Sequence, residues 1–342
     1  MKILLLVTLL TVTLWSFESF NYVNKKYKFT SKVELKNNYF PIISPYFYAQ
    51  KIHYFKSFDG LNIAYRIFEV KNAKATIVIS SGRTEGMLKY QELIYDLNQN
   101  GYSVYINDHR GQGNSDRLLE DSQIGHVIKF ENYVLDLHQF ISEFAKKDKK
   151  LILLGHSMGG AIATLYAEEY PNDFDALILS SPMHQPDLID SSITKFACSL
   201  IEKRKRDIDR YIVGEHSYDE SNVAFKDNIL THSEIRYEIS KIAFDIEPEA
   251  KIGGPSVRWV QQACLGSAKS VRDAKEIKIP ILLIHAQNDK VVNLQPQEEF
   301  CENASEYCEG IQIDGAYHEL LVERDDIRDK TLTAILDFIS KI

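Results

Sequence analysis

The chain is poor in cysteine. It has only Cys198, Cys264, Cys301 and Cys308 in 342 residues, with no C-x-x-C spacing and no neighbouring histidine pair, which removes the usual zinc frameworks and leaves no metal expected. It also has no excess of basic charge. With 40 Lys and Arg against 48 Asp and Glu the formal charge is -8, and without a long basic stripe nucleic acid is excluded as the main partner. No internal repeat or low-complexity tract is present, which argues against a repeat array and against disorder. Near the start the apolar run is short: Ile3 to Trp15, thirteen residues after Lys2 that are apolar apart from three threonines, against the roughly 20 that span a bilayer comfortably.

That run has the charged start and apolar length of a secretory signal core, so residues 1–20 are read as a signal or membrane-anchor segment. Phe17 stands where a small residue would mark cleavage, which leaves a retained anchor and a cleaved signal both open. Lys25, Lys26, Lys28 and Lys32 oppose export by the positive-inside bias. Residues 21–50 are assigned to a linker.

What is present is an ordinary globular composition, 44% hydrophobic and 26% charged, enough for one large α/β domain with an insertion. Lys51 to Ser57 and Leu61 to Val70 predict two strands joined through Asp59-Gly60. Apolar strands then alternate with amphipathic helices: strands at Ala75–Ser80, Tyr102–Asn107, Leu151–Leu154 and Ala176–Ser181, helices at Met87–Asn100, Phe130–Lys147 and Ala161–Tyr170. This alternation predicts a mostly parallel sheet covered by helices on both faces. It stops after Ser181 and resumes at Ile279–Ile284, followed by a weak strand Ile311–Ile313 and a helix Ile327–Ile339. The expected organisation is a core in two parts, 51–182 and 276–342, with a helical cap insertion at 183–275 that includes helix-like stretches at Ile193–Ile201 and Ile235–Ile246.

The chemistry lies in Gly155-His156-Ser157-Met158-Gly159. It follows a short buried strand and precedes a helix, the setting in which a serine hydroxyl is presented on a sharp turn above a sheet. Serine needs a base and a group to orient that base. Asp289, after the strand ending at His285, and His318, after the last strand, supply them in the order Ser, Asp, His. Glu299 or Asp314 could replace Asp289, and His285 or His156 are the other histidines near the strand ends. The oxyanion of an attacked ester would be received by two backbone amides, Met158 and, in the turn Ser81-Gly82-Arg83-Thr84, Arg83. No Lys-Ser or Lys-Thr follows that glycine, which argues against a nucleotide site. No cofactor is expected.

Several segments together resemble the α/β-hydrolases grouped with bacterial lysophospholipases and monoacylglycerol lipases, over about residues 50 to 342. They are Gly82-Arg83 with Tyr90 and Glu92-Leu93, Asp108-His109-Arg110-Gly111-Gln112-Gly113-Asn114-Ser115, Gly125-His126-Val127, Gly155 to Gly160, Leu230-Thr231-His232-Ser233 with Arg236-Tyr237, Gly253-Gly254-Pro255, and Gly315 to Glu319. The cap segments look like the inner-membrane lysophospholipase branch. The resemblance implies an α/β-hydrolase fold and cleavage of the acyl ester of a lysophospholipid, with acyl transfer to another lipid in some members. The implied location is the bacterial inner membrane, reached through the amino-terminal segment, or the far side of it if that segment is cleaved.

A monoacylglycerol lipase or general carboxylesterase would use the same three residues, and an inactive scaffold would serve as a binding module. The Asp108 loop is read as a structural turn that buttresses the elbow. Lys203-Arg204-Lys205-Arg206, diluted by Glu202, Asp207 and Asp209, is read as a solvated face, with lipid headgroups as the alternative. Cys301 and Cys308 are close enough in sequence to bridge in an oxidising compartment, but free buried thiols are the expectation.

Overall fold

Runs of Val, Ile and Leu fill a sheet that is buried on both sides, as a parallel sheet must be. In the computed structural model, which describes residues 17–21, 26–146, 148–186, 198–219 and 224–342, nine strands form one sheet. They are β1 (Glu18–Ser19), β2 (His53–Lys56), β3 (Asn62–Phe68), β4 (Thr76–Ser80), β5 (Ser103–Asn107), β6 (Leu151–His156), β7 (Ala176–Ser180), β8 (Ile281–Ala286) and β9 (Cys308–Ile313). Their order is β1-β9-β8-β7-β6-β4-β5-β3-β2. The pairings of β3 with β2 and β5 are antiparallel, and all others are parallel.

Among the described residues, nine helices of six residues or more surround the sheet: α1 (Lys32–Asn38), α2 (Ser44–Ala49), α3 (Gln91–Gln99), α4 (Glu131–Phe144), α5 (Met158–Glu169), α6 (Glu234–Ile246), α7 (Val257–Arg272), α8 (Leu294–Ala304) and α9 (Asp325–Lys341). Helices α4, α5, α7 and α8 cover one face through Phe140, Ile162, Tyr166, Trp259 and Phe300. Helices α3 and α9 cover the other through Leu93, Leu97, Leu332 and Ile335. The doubly covered, mostly parallel sheet expected from the strand rhythm is present.

Of the expected linker 21–50, residues 32–49 are instead packed helix, while 22–25 lie outside the described residues. Ser31 caps α1 in a reciprocal box with Glu34, and a π turn at Tyr39–Ile43 carries the chain into α2. Leu35, Tyr39, Ile43 and Phe47 recur every fourth residue and are all buried. The first three pack against Tyr95 and against Ile235, Ile239 and Ile242 of α6. Pro41 lies within the π turn, and Pro45 stands in the first turn of α2, where its missing amide proton costs no helix bond. Arg236 of α6 reinforces the contact through bonds to Glu92, Asp325 and the carbonyl of Thr30.

The end of the expected targeting segment also belongs to the fold, because Glu18 and Ser19 pair with Ile311 and Gln312 at the sheet edge. Residues 1–16 lie outside the described residues. Among those described, no helix is long and apolar enough to cross a membrane.

The cap is shorter than 183–275. Ser256 caps α7, and its apolar stripe of Trp259, Val260, Ala263 and Val271 lies in the core. A stripe spaced for a helix face cannot by itself say which domain the face meets, and here it meets α5 and α8. Of the stretch 193–201, residues 193–197 lie outside the described residues, while 198–202 are helical.

The free thiols are replaced by two disulfides, Cys198–Cys264 and Cys301–Cys308, with Cα separations of 5.8 and 5.3 Å. The first ties the cap to α7, and the second ties the end of α8 to the start of β9. The basic stretch 203–206 is exposed, as a solvated face should be.

Candidate active site

At the end of β6 the chain must reverse into α5 with no room to spare. Ser157 takes φ 52° and ψ -122°, a sparsely populated conformation that costs a non-glycine residue about 1–3 kcal/mol. The fold holds it there: its amide donates to Ser180 O at 3.1 Å, and its carbonyl accepts from Gly160 and Met183 at 2.9 Å each. A Cβ on Gly159 would lie 2.0 Å from Ser80 O, so only glycine lets α5 start against β4.

Loops after β8 and β9 leave the same sheet edge and bring up the other two groups. His318 Nδ1 lies 2.7 Å from Asp289 Oδ2. The other oxygen, Oδ1, accepts from the amides of Val291 and Val292 at 2.8 and 3.1 Å. Burial pushes the Asp289 carboxyl up, but His318 and these amides outweigh it and hold the group below its usual range. With Nδ1 committed, Nε2 is the ring nitrogen left for the serine. Ser157 and His318 line one cavity of about 470 Å³.

The substitutes are engaged elsewhere. Asp314 accepts from Ser19 and Gln312, His285 pairs with Gln297, His156 Nδ1 faces Ser180 O, and Glu299 borders a different cavity.

The amide of Arg83 lies in the turn after β4 and that of Met158 in the first turn of α5. Among the described residues neither donates a hydrogen bond. The Arg83 turn is fixed by Gly82 N donating to Glu85 at 2.6 Å and by Gln112 Nε2 donating to Gly82 O at 2.8 Å.

The Asp108 loop is structural. Asp108 accepts from the amides of Met87 and Asn114 at 2.6 and 2.7 Å, His109 meets Ser80, and Arg110 is buried against Asp136 and Asp59.

A buried ion cluster behind the site was not foreseen. Lys89 Nζ bridges Glu85 and Glu319 at 2.6 and 2.5 Å, and Tyr90 donates to Glu85 at 2.6 Å. His156 Nε2 lies 3.2 Å from Glu319, and its ring centre is 5.0 Å from that of His318. The signal was available: Glu85 and Lys89 are four apart, and Glu319 follows His318. Glu85, His156 and Glu319 could present three ligand atoms to a cation, but the ammonium of Lys89 already supplies the positive charge there.

Burial disfavours charge on Glu319 and His156, yet their pairing with the neighbouring charges wins. It holds Glu319 well below 4.5 and raises His156 above 6.5. A depressed carboxylate contributes stability above its unfolded value and loses it on acidification, while a raised imidazole contributes below its unfolded value and loses it as pH rises through the folded one. The cluster should therefore stabilise most between about pH 4.5 and 6.5. Thermal midpoints measured against pH should show an acid limb below this window that is shallower in Glu319→Gln. An unchanged limb would contradict the pairing.

Comparison with known proteins agrees with this geometry. Residues 71–325 match the family described as serine aminopeptidase, S33. Lysophospholipase L2 of Escherichia coli is 35% identical over 300 residues, covering 84% of this chain and 86% of that protein. A probable lysophospholipase L2 of Haemophilus influenzae is 31% identical over 306 residues, covering 86% and 94%. Among solved structures, a soluble variant of monoglyceride lipase from Saccharomyces cerevisiae superposes with a TM-score of 0.67 at 21% identity, covering 85% of this chain and 94% of that one. Monoacylglycerol lipase of Paleococcus ferrophilus gives 0.63 at 20%, covering 81% and 98%. With a sharp strand-to-helix turn at Ser157 over a mostly parallel sheet and a family match across three quarters of its length, the chain belongs to the S33 serine hydrolases of the α/β-hydrolase fold.

Proposed function

We propose that the protein is a lysophospholipase. Ser157 attacks the acyl ester, His318 takes the serine proton and returns it to the departing glycerophosphoryl alcohol, and Asp289 holds the imidazole tautomer. The amides of Arg83 and Met158 receive the oxyanion. Water activated by His318 then releases the fatty acid, and a lipid alcohol in its place would carry the acyl group away. The carrying observation is the His318–Asp289 bond at 2.7 Å beside a cavity shared with Ser157. The substrate reading draws support from the two lysophospholipase L2 relatives at 35% and 31% identity.

Monoacylglycerol is the second reading, favoured by monoglyceride lipases that are 24% identical over 78% of this chain. Residues 1–20 would hold the enzyme at a membrane. The two disulfides favour placing the domain in an oxidising compartment, on the far side of the inner membrane.

The test is a substrate panel. Lysophosphatidylethanolamine and lysophosphatidylcholine should be hydrolysed in preference to monoacylglycerol and short p-nitrophenyl esters, and a fluorophosphonate probe should label Ser157. Turnover of short esters alone would reject the lipid reading, and absence of labelling would point to an inactive scaffold.

A further inference from the structure

Four cationic side chains line the cavity that holds Ser157 and His318: Arg83, Lys89, Lys241 and Lys251. Three meet carboxylates. Lys89 is bound by Glu85 and Glu319, Lys251 by Asp245 at 2.7 Å, and Lys241 by Glu238 at 3.7 Å. Arg83 does not. Its guanidinium reaches one backbone carbonyl, Gly253 O, at 3.4 Å and lies over the Trp259 ring at 5.2 Å. No carboxylate among the described residues comes within ion-pair distance of it. A guanidinium offers five donors in a planar fork suited to phosphate and carboxylate. Taking such a group partly out of water is costly, and burial draws its pKa down even though the charge of Glu215 favours the guanidinium's charged form. That cost is explained if the anion arrives with the substrate.

We propose that the Arg83 side chain is the phosphate anchor of the cavity, taking the phosphodiester of a lysophospholipid; this rests on the lysophospholipid reading above. Covalent geometry supports the assignment. The Arg83 amide addresses the ester oxygen, and from that nitrogen to the guanidinium carbon runs the same number of bonds as from the ester carbonyl carbon of a 1-acyl lysophospholipid through glycerol to phosphorus. One residue can thus hold both ends of a glycerophosphoryl ester. Glu215, on the same cavity wall, is exposed; it acts on Arg83 through its charge but makes no ion pair among the described residues. It would repel an anionic headgroup but meet the ammonium of a zwitterionic one. The favoured substrates are therefore lysophosphatidylethanolamine and lysophosphatidylcholine rather than lysophosphatidylglycerol.

The experiment compares kcat/KM of the full chain on lysophosphatidylethanolamine and on monoacylglycerol with the same acyl chain, in the same detergent. In Arg83→Gln the ratio of the two should fall by about tenfold or more, and Arg83→Lys, which keeps the charge but not the fork, should recover part of it. Glu215→Gln should lower the preference for lysophosphatidylethanolamine over lysophosphatidylglycerol. A ratio unmoved in Arg83→Gln, or both substrates lost in equal proportion, overturns the anchor, even if inorganic phosphate inhibits the enzyme. Wild-type protein inactive on every lysophospholipid would instead overturn the substrate reading on which the anchor stands.

Discussion

Ser157→Ala should lower ester turnover by about 10³-fold or more while leaving the fold intact. The two halves of that expectation have separate causes. Serine already sits at φ 52°, a backbone conformation equally strained for alanine, so the change adds no steric cost at the turn. The amide bonds that hold the turn remain, and the side chain lost has no structural hydrogen bond among the described residues. Catalysis, by contrast, loses the atom that forms the acyl-enzyme, and what survives is the residual effect of the oxyanion donors and binding. Circular dichroism and thermal midpoint should match the wild type. Fluorophosphonate labelling should vanish, and hydrolysis persisting at near-normal rate would mean that another residue is the nucleophile.

The largest effect on stability is expected at Arg110. Its side chain is wholly buried and donates to both oxygens of Asp136 at 2.7 Å each, to Ser57 at 2.9 Å and to Asp59 at 2.7 Å. Arg110→Met keeps much of the bulk but leaves Asp136 buried without a counter-charge. Removing one partner of a buried pair costs about 3–5 kcal/mol. Burial already holds the Asp136 carboxyl above its usual range even with the guanidinium present, so the orphaned acid would meet the loss partly by binding a proton. Urea denaturation should report the change, and a cost under about 1 kcal/mol would mean that water replaces the guanidinium. Activity should fall too, because Gln112 in the same loop fixes Gly82, next to the Arg83 amide.

Legibility followed the range of the signal. The central strands were readable because each is a short apolar run bounded by turns, and β4, β6, β7 and β8 fall within two residues of their expected ends. That Ser157, Asp289 and His318 would gather at one sheet edge was readable because the fold fixes where each loop leaves the sheet. The amino-terminal helices were missed because two prolines broke the pattern that Leu35, Tyr39, Ile43 and Phe47 maintain across the π turn. The pairing of Cys198 with Cys264, 66 residues apart, has no local trace at all. The cluster around Lys89 was half visible as the four-residue spacing of Glu85 and Lys89, but its other members arrive from the elbow and from the last loop.

Helix α6 presents Ile235, Ile239 and Ile242 to the amino-terminal stripe and Tyr237, Ser240, Lys241 and Phe244 to the catalytic cavity. The amino-terminal stripe of Leu35, Tyr39 and Ile43 and the cavity are thus neighbours across a single party wall. A shift of that stripe is delivered one helix thickness from the cavity lining, so residues 32–49 serve as masonry for the chamber.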